Sequence, residues 1–333
     1  MTAVLFTCAG QRVDVVTAFS RAGGRTVAVD ANPLAPAIYH ADVHAVVPRI
    51  DDPAYLSALQ ELIAEHDVKL VVPLTDLDQL LLAEHRDEIE AVVLLPDLDV
   101  VRRTADKYLA HLFFEERGIP SPPSWLPDGL PDDLEFPVLV KARFGFGSRD
   151  IFRANDRREL EFFLGYSQAD SFVQRVCPGE EFSIDVFCDL DSRCLNSIPR
   201  TMIESKGGES IKGMTIKDPE LIDFGRLVAE ELGIQGPANV QCFRVAPGRH
   251  EVTDVNPRFG GAFPLPRAAG SRYPELALAL ARGERPEPRL GEFREGVVMT
   301  RFFSHLSLTA DGGGRLEPFA EELPEPVAGE PAT

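Results

Sequence analysis

Short apolar runs alternate with amphipathic segments along the first part of the chain. Four apolar runs predict buried strands, at residues 4–7, 26–29, 69–74 and 91–95. Three segments carry apolar residues on one helical face and predict helices, at residues 13–22, 54–66 and 77–85. Strands that alternate with helices in this way form parallel sheets. Residues 1–100 are therefore predicted to be a doubly wound, Rossmann-like α/β domain.

The pattern changes after a predicted helix at residues 104–117 and the proline-rich link that follows it. From there, apolar runs are separated by a glycine loop or a Pro-Gly turn, and one of them alternates apolar with polar residues. Such runs are typical of half-buried antiparallel strands. We therefore expect an α+β lid over residues 101–185, an antiparallel-sheet domain over 186–310 and an acidic, mobile tail over 311–333.

Charge and cysteine content narrow the range of partners and locations. The chain has 34 Lys and Arg residues against 53 Asp and Glu residues, a net charge of −19, which repels nucleic acids and anionic membranes. Five cysteines, none in a closely spaced metal-binding pair, indicate reduced thiols. There is no basic leader and no apolar run of roughly 18–20 residues. We expect a cytoplasmic protein with small-molecule partners, and we leave a homodimer open.

The turn after the first predicted strand, CAGQR, is a candidate anion site. A glycine-containing turn before a helix can hold an anion, and Asp30 ends the second strand where an acid can bind a ribose. Only Gly10 is present, however, and the full Gly-x-Gly-x-x-Gly fingerprint is missing. We therefore favour a plain scaffold turn over an NAD-dependent oxidoreductase.

A lysine followed by a glycine loop marks the middle of the chain. Lys141 ends the apolar strand VLVK, and the loop ARFGFGSRD returns directly into another strand, so it is not a P-loop. Gly145 and Gly147 allow backbone amides to approach a ligand, and Ser148 adds a hydroxyl group. This combination suits a polyphosphate. A glycine hairpin with a surface lysine explains the same residues equally well.

The segment QRVCPGEE follows the next predicted strand. The backbone of a strand edge at Gln174 and Val176 can hydrogen-bond an adenine, and the carboxylate of Glu181 can hold two ribose hydroxyls. Paired acids in a turn are more commonly solvated, and that reading stays open for Glu180 and Glu181.

The strongest chemical pattern lies in two predicted strands, ANVQCFRV and HEVTDVN. Asp254 and Asn256 are two residues apart and point to the same side of a strand, where Gln241 of the neighbouring strand can join them. Oxygen ligands of this kind suit Mg²⁺ that is shared with phosphate. Arg258 follows two residues later and can stabilise charge on a transferring phosphoryl group. The alternative is Asx-turn chemistry before a proline.

Taken in chain order, the segments DK, GIP, FPVLVKARFGFGS, QRVCPGEE and VNPRFGG resemble the ATP-grasp superfamily. The opening TCAGQRVDVV and the segment DANPLAPA are similar to a subgroup of single-chain proteins related to the carbamoyl-phosphate synthase large subunit, which includes the pyrrolysine-pathway amide ligase. The resemblance covers residues 1–305. It implies an N-terminal preATP-grasp domain, a lid and a C-terminal catalytic subdomain.

The resemblance also implies ligands and roles for the matching residues, with ATP and Mg²⁺, or Mn²⁺ in its place, as cofactors. The nucleotide-binding set is Lys107, Lys141, Gly145, Gly147, Ser148, Gln174, Arg175, Val176 and Glu181. The metal-binding set is Gln241, Asp254 and Asn256. The catalytic set is Arg258, Lys141 and Arg200, and the substrate-binding set is Arg200, Lys206 and Arg258.

The resulting hypothesis is an ADP-forming ligase that joins a carboxylic acid to an amine, or to a thiol, through an acyl phosphate. In two positions the chain departs from the family pattern. Gln174 stands where an acid is common, and Asp254 stands where Glu is usual. These departures motivate the alternative of a catalytically impaired, ATP-binding regulator. A bicarbonate- or carbamate-phosphorylating member of the same superfamily is a further alternative.

Overall fold

The computed structural model describes residues 1–145, 151–206, 209–311 and 316–319. Its first domain is a parallel sheet with helices on both faces. The strands are β1 (Ala3–Thr7), β2 (Arg25–Asp30), β3 (Val43–Val46), β4 (Val68–Pro73) and β5 (Val92–Val93). The helices are α1 (Val13–Arg21), α2 (Tyr55–Glu65) and α3 (Gln79–Glu84). The strand order is β3-β2-β1-β4-β5, and all pairs are parallel.

The strand β3 was not predicted from the sequence. It lies at the edge of the sheet, and its four residues are only partly buried, so it lacks the continuous apolar run that marks its neighbours. The helix predicted over residues 104–117 is present as α5 (Lys107–Glu116), and the helix that precedes it, α4 (Leu98–Ala105), was not predicted. Asp106 separates them: its backbone is extended, and its carboxylate accepts hydrogen bonds from Tyr108 N and Leu109 N.

A small antiparallel sheet forms the lid. It consists of β6 (Ser124–Trp125), β7 (Val138–Ala142), β8 (Ile151–Ala154) and β9 (Ser171–Arg175), in the order β6-β9-β7-β8. Helix α6 (Arg157–Tyr166) packs on one face through Leu160, which is fully buried against Val138 and Val173. The glycine loop therefore begins directly after a strand of this two-layer unit.

The largest antiparallel sheet lies in the second half of the chain. The elements here are β10 (Glu180–Cys188), β11 (Cys194–Thr201), β12 (Glu204–Lys206), β13 (Glu209–Met214), α7 (Pro219–Leu232), β14 (Gly236–Ala246) and β15 (Arg249–Asn256). The central sheet has the order β11-β10-β14-β15. Helix α7 buries Leu221 and Val228 against one face of this sheet, which leaves the other face for the site.

The remaining helices and strands follow β15 in the chain. They are α8 (Pro264–Ala268), α9 (Tyr273–Ala281), β16 (Val298–Thr300), β17 (Leu308–Ala310) and β18 (Leu316–Pro318). Strands β12, β13 and β16 form a small sheet, and β17 pairs with β18. Part of the segment that we expected to be a mobile tail is therefore a strand, and residues 320–333 lie outside the described residues.

The first domain shares a hydrophobic core with the segment that follows β15. The ring of Phe19 on α1 lies 5.9 Å from the ring of Phe259, which in turn lies 4.7 Å from that of Phe263. The fold is the predicted combination of a parallel α/β domain and antiparallel sheets, whereas the exact domain bounds stay predictions. Within the described part of the chain, no helix is both long and apolar enough to cross a membrane.

Candidate active site

A cavity of about 410 Å³ opens where the first domain, the lid and the central sheet meet. Its charged lining residues are Arg12, Lys107, Lys141, Arg200 and Arg258 on the positive side and Asp76 and Asp254 on the negative side. Five cations against two carboxylates leave this part of the lining three charges positive, in a chain whose net charge is −19. A concentration of cations in an acidic protein indicates a site for a polyanion.

Lys141 is the most enclosed lysine of the cavity. It lies near the end of β7 with only 8% of its surface exposed, and its Nζ donates a 3.1 Å hydrogen bond to Gln174 Oε1. Burial lowers the pKa of Lys141, and the nearby carboxylate of Asp254 opposes this shift. A buried ammonium group whose direct partner is a neutral amide is well suited to an incoming phosphate.

The glycine loop begins at the mouth of the cavity. Gly145 has a φ of +121°, a conformation that favours glycine, and it lines the same cavity as Asp254. The structure thus brings the start of the glycine loop and the end of β15 together. Gly147 and Ser148 lie outside the described residues.

The expected adenine and ribose residues lie next to Lys141. The side chain of Gln174 is buried and bridges Lys141 to Ser124 Oγ, which accepts a 3.0 Å hydrogen bond from Nε2. Arg175 pairs with Glu251, and Val176 follows the end of β9. The side chain of Gln174 therefore positions Lys141, and any contact with adenine is left to the backbone of this strand.

Glu181 lies in β10 on the same side of the strand as Ser183, which lines the cavity. Burial raises the pKa of Glu181, while the charges of Lys141 and Arg200 lower it. Among the described residues, none forms a hydrogen bond or an ion pair with its carboxylate. This carboxylate has acceptor capacity for two hydroxyl groups.

The expected metal ligands lie together, in the middle of β14 and near the end of β15. Gln241 lies directly opposite Asp254 in the antiparallel pair, and Asn256 follows two residues later. The carboxylate of Asp254 accepts hydrogen bonds of 2.9 and 3.0 Å from Lys107 Nζ. Burial alone would raise the pKa of Asp254, but the ammonium groups of Lys107 and Lys141 outweigh it and hold this pKa below its ordinary value.

This donor set fits a magnesium ion that is shared with phosphate. It offers one carboxylate and two amide oxygens, all on residues that line the cavity. In the part of the chain that the structure describes, no three His, Cys, Asp or Glu residues form a group that could hold a metal by themselves. Mg²⁺ commonly keeps few protein ligands and completes its shell with water and substrate phosphates. The residues therefore suit a metal that arrives with a nucleotide.

Arg258 lines the cavity, and Asp76 of the first domain binds its guanidinium group. Its Nε lies 2.9 Å from both carboxylate oxygens of Asp76, and its Nη2 donates a 3.1 Å hydrogen bond to Asn256 Oδ1. Asp76 follows β4, which adjoins β1 at the point where the strand order of the parallel sheet reverses. Ligand-binding residues commonly occupy the carboxyl edge at such a point. That topological signal could have identified Asp76, which sequence reasoning missed.

Arg200, the candidate for binding a substrate carboxylate, is almost fully buried. Its Nε donates a 2.8 Å hydrogen bond to Asp185, and its Nη1 contacts the sulfur of Met202 at 3.3 Å. Asp185 also accepts a hydrogen bond from Asn239 Nδ2 at 3.2 Å. Lys206 ends β12, and the structure does not describe its side chain.

The first turn of the chain serves the scaffold, as we favoured. Gly10 has a φ of +49° and its N–H donates a 2.8 Å hydrogen bond to Asp30 Oδ2, while Asp30 Oδ1 accepts one from Asn32 N. The carboxylate of Asp30 therefore stabilises two backbone turns, which removes the support for a ribose of NAD. The next residue but one, Arg12, does line the cavity, and its role was not foreseen.

Two protein families match the chain. The family described as PylC-like, N-terminal domain matches residues 4–94. The family described as ATP-grasp in the biosynthetic pathway with Ter operon matches residues 167–302. The two matches fall on the parallel sheet and on the central antiparallel sheet, respectively.

Individual proteins give the same picture. The carbamoyl phosphate synthase large chain of Clostridium perfringens is 26% identical over 229 residues, which is 63% of this chain but only 20% of the relative. The biotin carboxylase of Campylobacter jejuni, in a complex with β-γ-ATP, superimposes with a TM-score of 0.72 at 14% identity, over 88% of this chain and 73% of that one. An L-amino acid ligase from Bacillus licheniformis gives a TM-score of 0.70 at 18% identity, over 89% and 78%.

Proposed function

Because the chain belongs to the ATP-grasp superfamily, we propose that it is an ADP-forming ligase. In the proposed reaction, ATP phosphorylates a carboxylic acid, and an amine, or a thiol, displaces the phosphate from the acyl phosphate. The observation that carries the proposal is the cationic cavity, which holds a three-residue oxygen set at one wall. We further propose a cytoplasmic location and leave a homodimer as an open expectation.

The nucleotide would lie at the lid side of the cavity. Lys141 would supply a buried charge for the α and β phosphates, and the backbone at Gly145, which lines the cavity, would approach them closely. The unengaged carboxylate of Glu181 would accept the two ribose hydroxyls. These contacts would position the nucleotide, and positioning together with charge neutralisation is most of what phosphoryl transfer requires.

The metal would be held by Gln241, Asp254 and Asn256. A bound Mg²⁺ supplies charge neutralisation at the β and γ phosphates. Arg258 would donate from its terminal nitrogen Nη1, whose one hydrogen bond to a described residue is a long 3.4 Å contact with the carbonyl of Phe259. We assign this nitrogen to the γ-phosphate and, after transfer, to the acyl phosphate.

The carboxylic acid would lie against Arg200. Asp185 fixes this guanidinium group through Nε, and within the described residues its Nη2 donates no hydrogen bond. An arginine that is fixed through Nε and has a terminal nitrogen without a hydrogen bond is well suited to bind a carboxylate. The substrates are therefore proposed to be a small carboxylic acid and an amine.

One alternative has a specific observation in its favour. The charge of Asp254 is already neutralised by Lys107, and the side chain of Gln174 already accepts a hydrogen bond from Lys141. Both arrangements reduce the number of groups that are available to a nucleotide, which is what a catalytically impaired, ATP-binding regulator would show. A bicarbonate-phosphorylating enzyme is the other alternative, and the same assay includes it.

The experiment incubates the protein with Mg²⁺, ATP and pools of carboxylic acids and amines, with bicarbonate as a separate pool, and follows the nucleotides by ³¹P NMR. The proposal predicts ADP and inorganic phosphate that depend on both an acid and an amine or thiol. Release of AMP and pyrophosphate would indicate an adenylate and contradict it. Nucleotide binding without turnover in any pool would favour the regulator.

A further inference from the structure

The four residues after Asn256 are held by the first domain. The carbonyl of Pro257 accepts a 3.1 Å hydrogen bond from Gln79 Nε2. Arg12 donates to two further carbonyls, with distances of 2.9 Å from Nη1 to Phe259 O and 3.0 Å from Nη2 to Gly260 O. Asp76 binds the guanidinium group of Arg258 itself. Three separate side chains of the parallel domain thus contact the short segment that follows β15.

Asp76 differs from Gln79 and Arg12 in the group that it binds. Within residues 257–260, Gln79 and Arg12 bind backbone carbonyls, whereas Asp76 binds the charged group of Arg258 side-on, through Nε and Nη2. Asn256 Oδ1 takes the other hydrogen of Nη2. Two fixed sides of the planar guanidinium group determine where its third nitrogen, Nη1, points.

We propose that Asp76 is a positioning residue for the γ-phosphate: it orients Arg258 so that Nη1 is presented to the terminal phosphoryl group. The proposal rests on the proposed function, because Arg258 was assigned to that phosphate there. Through the carboxylate of Asp76, the parallel domain would contribute to recognition of the phosphoryl group. A positioned guanidinium loses little conformational freedom on binding, whereas an unrestrained arginine side chain must be immobilised.

Electrostatics alone predicts the opposite result from positioning. Asp76 is an acid that lines a cavity for a polyanion, so removing its charge should strengthen the binding of every phosphate ligand, and most strongly the ligand with more charge. If Asp76 positions Arg258, removing it should instead weaken the recognition of the γ-phosphate selectively. The two effects therefore differ in sign.

The test compares the dissociation constants of Mg·ADP and of Mg·AMPPCP, the β,γ-methylene analogue of ATP, by calorimetry. In Asp76→Asn, we expect the preference for AMPPCP relative to ADP to fall by about tenfold, the size of a lost charged hydrogen bond, with ADP affinity unchanged or slightly higher. Arg258→Met should show the same fall, and the double variant should show no further one. Asp76→Glu should restore part of the preference.

Gln79→Ala is the matched control, because it removes a contact between the same two segments without touching Arg258. It should keep the wild-type preference. An unchanged or increased preference for AMPPCP in Asp76→Asn would overturn the proposal and leave the proposed function intact. Equal losses for ADP and AMPPCP would assign Asp76 a structural role and overturn it as well. If the wild-type protein binds neither nucleotide, the proposed function itself fails, and this inference fails with it.

Discussion

Lys107 occupies the carboxylate of Asp254, with its Nζ 2.9 and 3.0 Å from the two oxygens. Both side chains are mostly buried. Asp254 is the only carboxylate in the proposed metal-binding set, and Lys107 belongs to the proposed nucleotide-binding set. The ammonium group therefore neutralises the metal ligand until a nucleotide provides phosphates for the lysine. Metal and nucleotide are thus expected to bind together rather than separately.

Replacing Lys107 should expose this coupling. In Lys107→Met, the carboxylate of Asp254 loses its partner, and an uncompensated buried charge attracts a cation strongly. We expect Mn²⁺ without nucleotide to bind about tenfold or more tightly than in the wild-type protein. The measurement is the concentration of free Mn²⁺ by electron paramagnetic resonance. Lys212→Met, which removes a half-exposed partner of Glu204, is the control. Equal Mn²⁺ affinity in all three proteins would refute the coupling.

Removal of Lys141 should weaken nucleotide binding. Lys141→Ala deletes a buried charge from the polyphosphate, a loss of about 2–3 kcal/mol, or roughly 30- to 150-fold in Kd. Calorimetry with Mg·AMPPCP measures this loss. Lys69→Ala serves as the control, since Lys69 is half-exposed and pairs only with Asp67. An unchanged Kd in Lys141→Ala would show that the nucleotide does not contact this lysine.

The lowered pKa of Lys141 predicts an alkaline limit to nucleotide affinity. The protonated form binds phosphate, and burial moves its pKa below the ordinary lysine value. Affinity should therefore fall as the pH rises, at a lower pH than the one at which an ordinary lysine loses its proton. Lys141→Arg keeps its charge at these pH values and should show a flatter profile, whatever its absolute affinity. Parallel profiles for the two proteins would assign the titration to another group.

Asp254→Asn should reduce turnover without changing the fold. The substitution keeps the side-chain shape at a strand end, so we expect the circular dichroism spectrum to match that of the wild-type protein. ADP release should fall on the order of 100-fold, since the metal loses its carboxylate ligand. High Mg²⁺ or Mn²⁺ should restore part of the activity by mass action. Full activity at low Mg²⁺ would show that Asp254 is structural.

The turn between β9 and β10 offers a test of the backbone geometry at Gly179. Gly179 has a φ of +97°, and a Cβ there would lie 2.0 Å from the carbonyl oxygen of Arg244. Gly179→Ala should therefore lower the free energy of unfolding by at least about 2–3 kcal/mol, as urea denaturation can measure. Gly129→Ala, where a Cβ would meet nothing within 4 Å, is the control. Similar unfolding free energies for the two variants would contradict the observed turn geometry.

The sequence predicted the elements that have a strong local signal. Strands buried on both faces, such as β1 and β4, are continuous apolar runs, and the oxygen-bearing residues Asp254 and Asn256 share a face through simple alternation. The boundary between α4 and α5 at Asp106 was missed because helical residues lie directly on both sides of it. Asp76 was missed because its partner Arg258 is 182 residues away. Local patterns do not report contacts between domains, and those contacts complete the site.

The acyl phosphate can be tested with a carboxylic acid that supports ADP formation in the ³¹P NMR screen. The acid is labelled with ¹⁸O in its carboxylate, and the phosphate released during amide or thioester formation is analysed by mass spectrometry. Phosphoryl transfer to the carboxylate places one labelled oxygen between carbon and phosphorus, and displacement by the nucleophile leaves that oxygen on the phosphate. We predict inorganic phosphate with one ¹⁸O atom per molecule. Label in AMP, or phosphate with no label, would contradict the acyl phosphate.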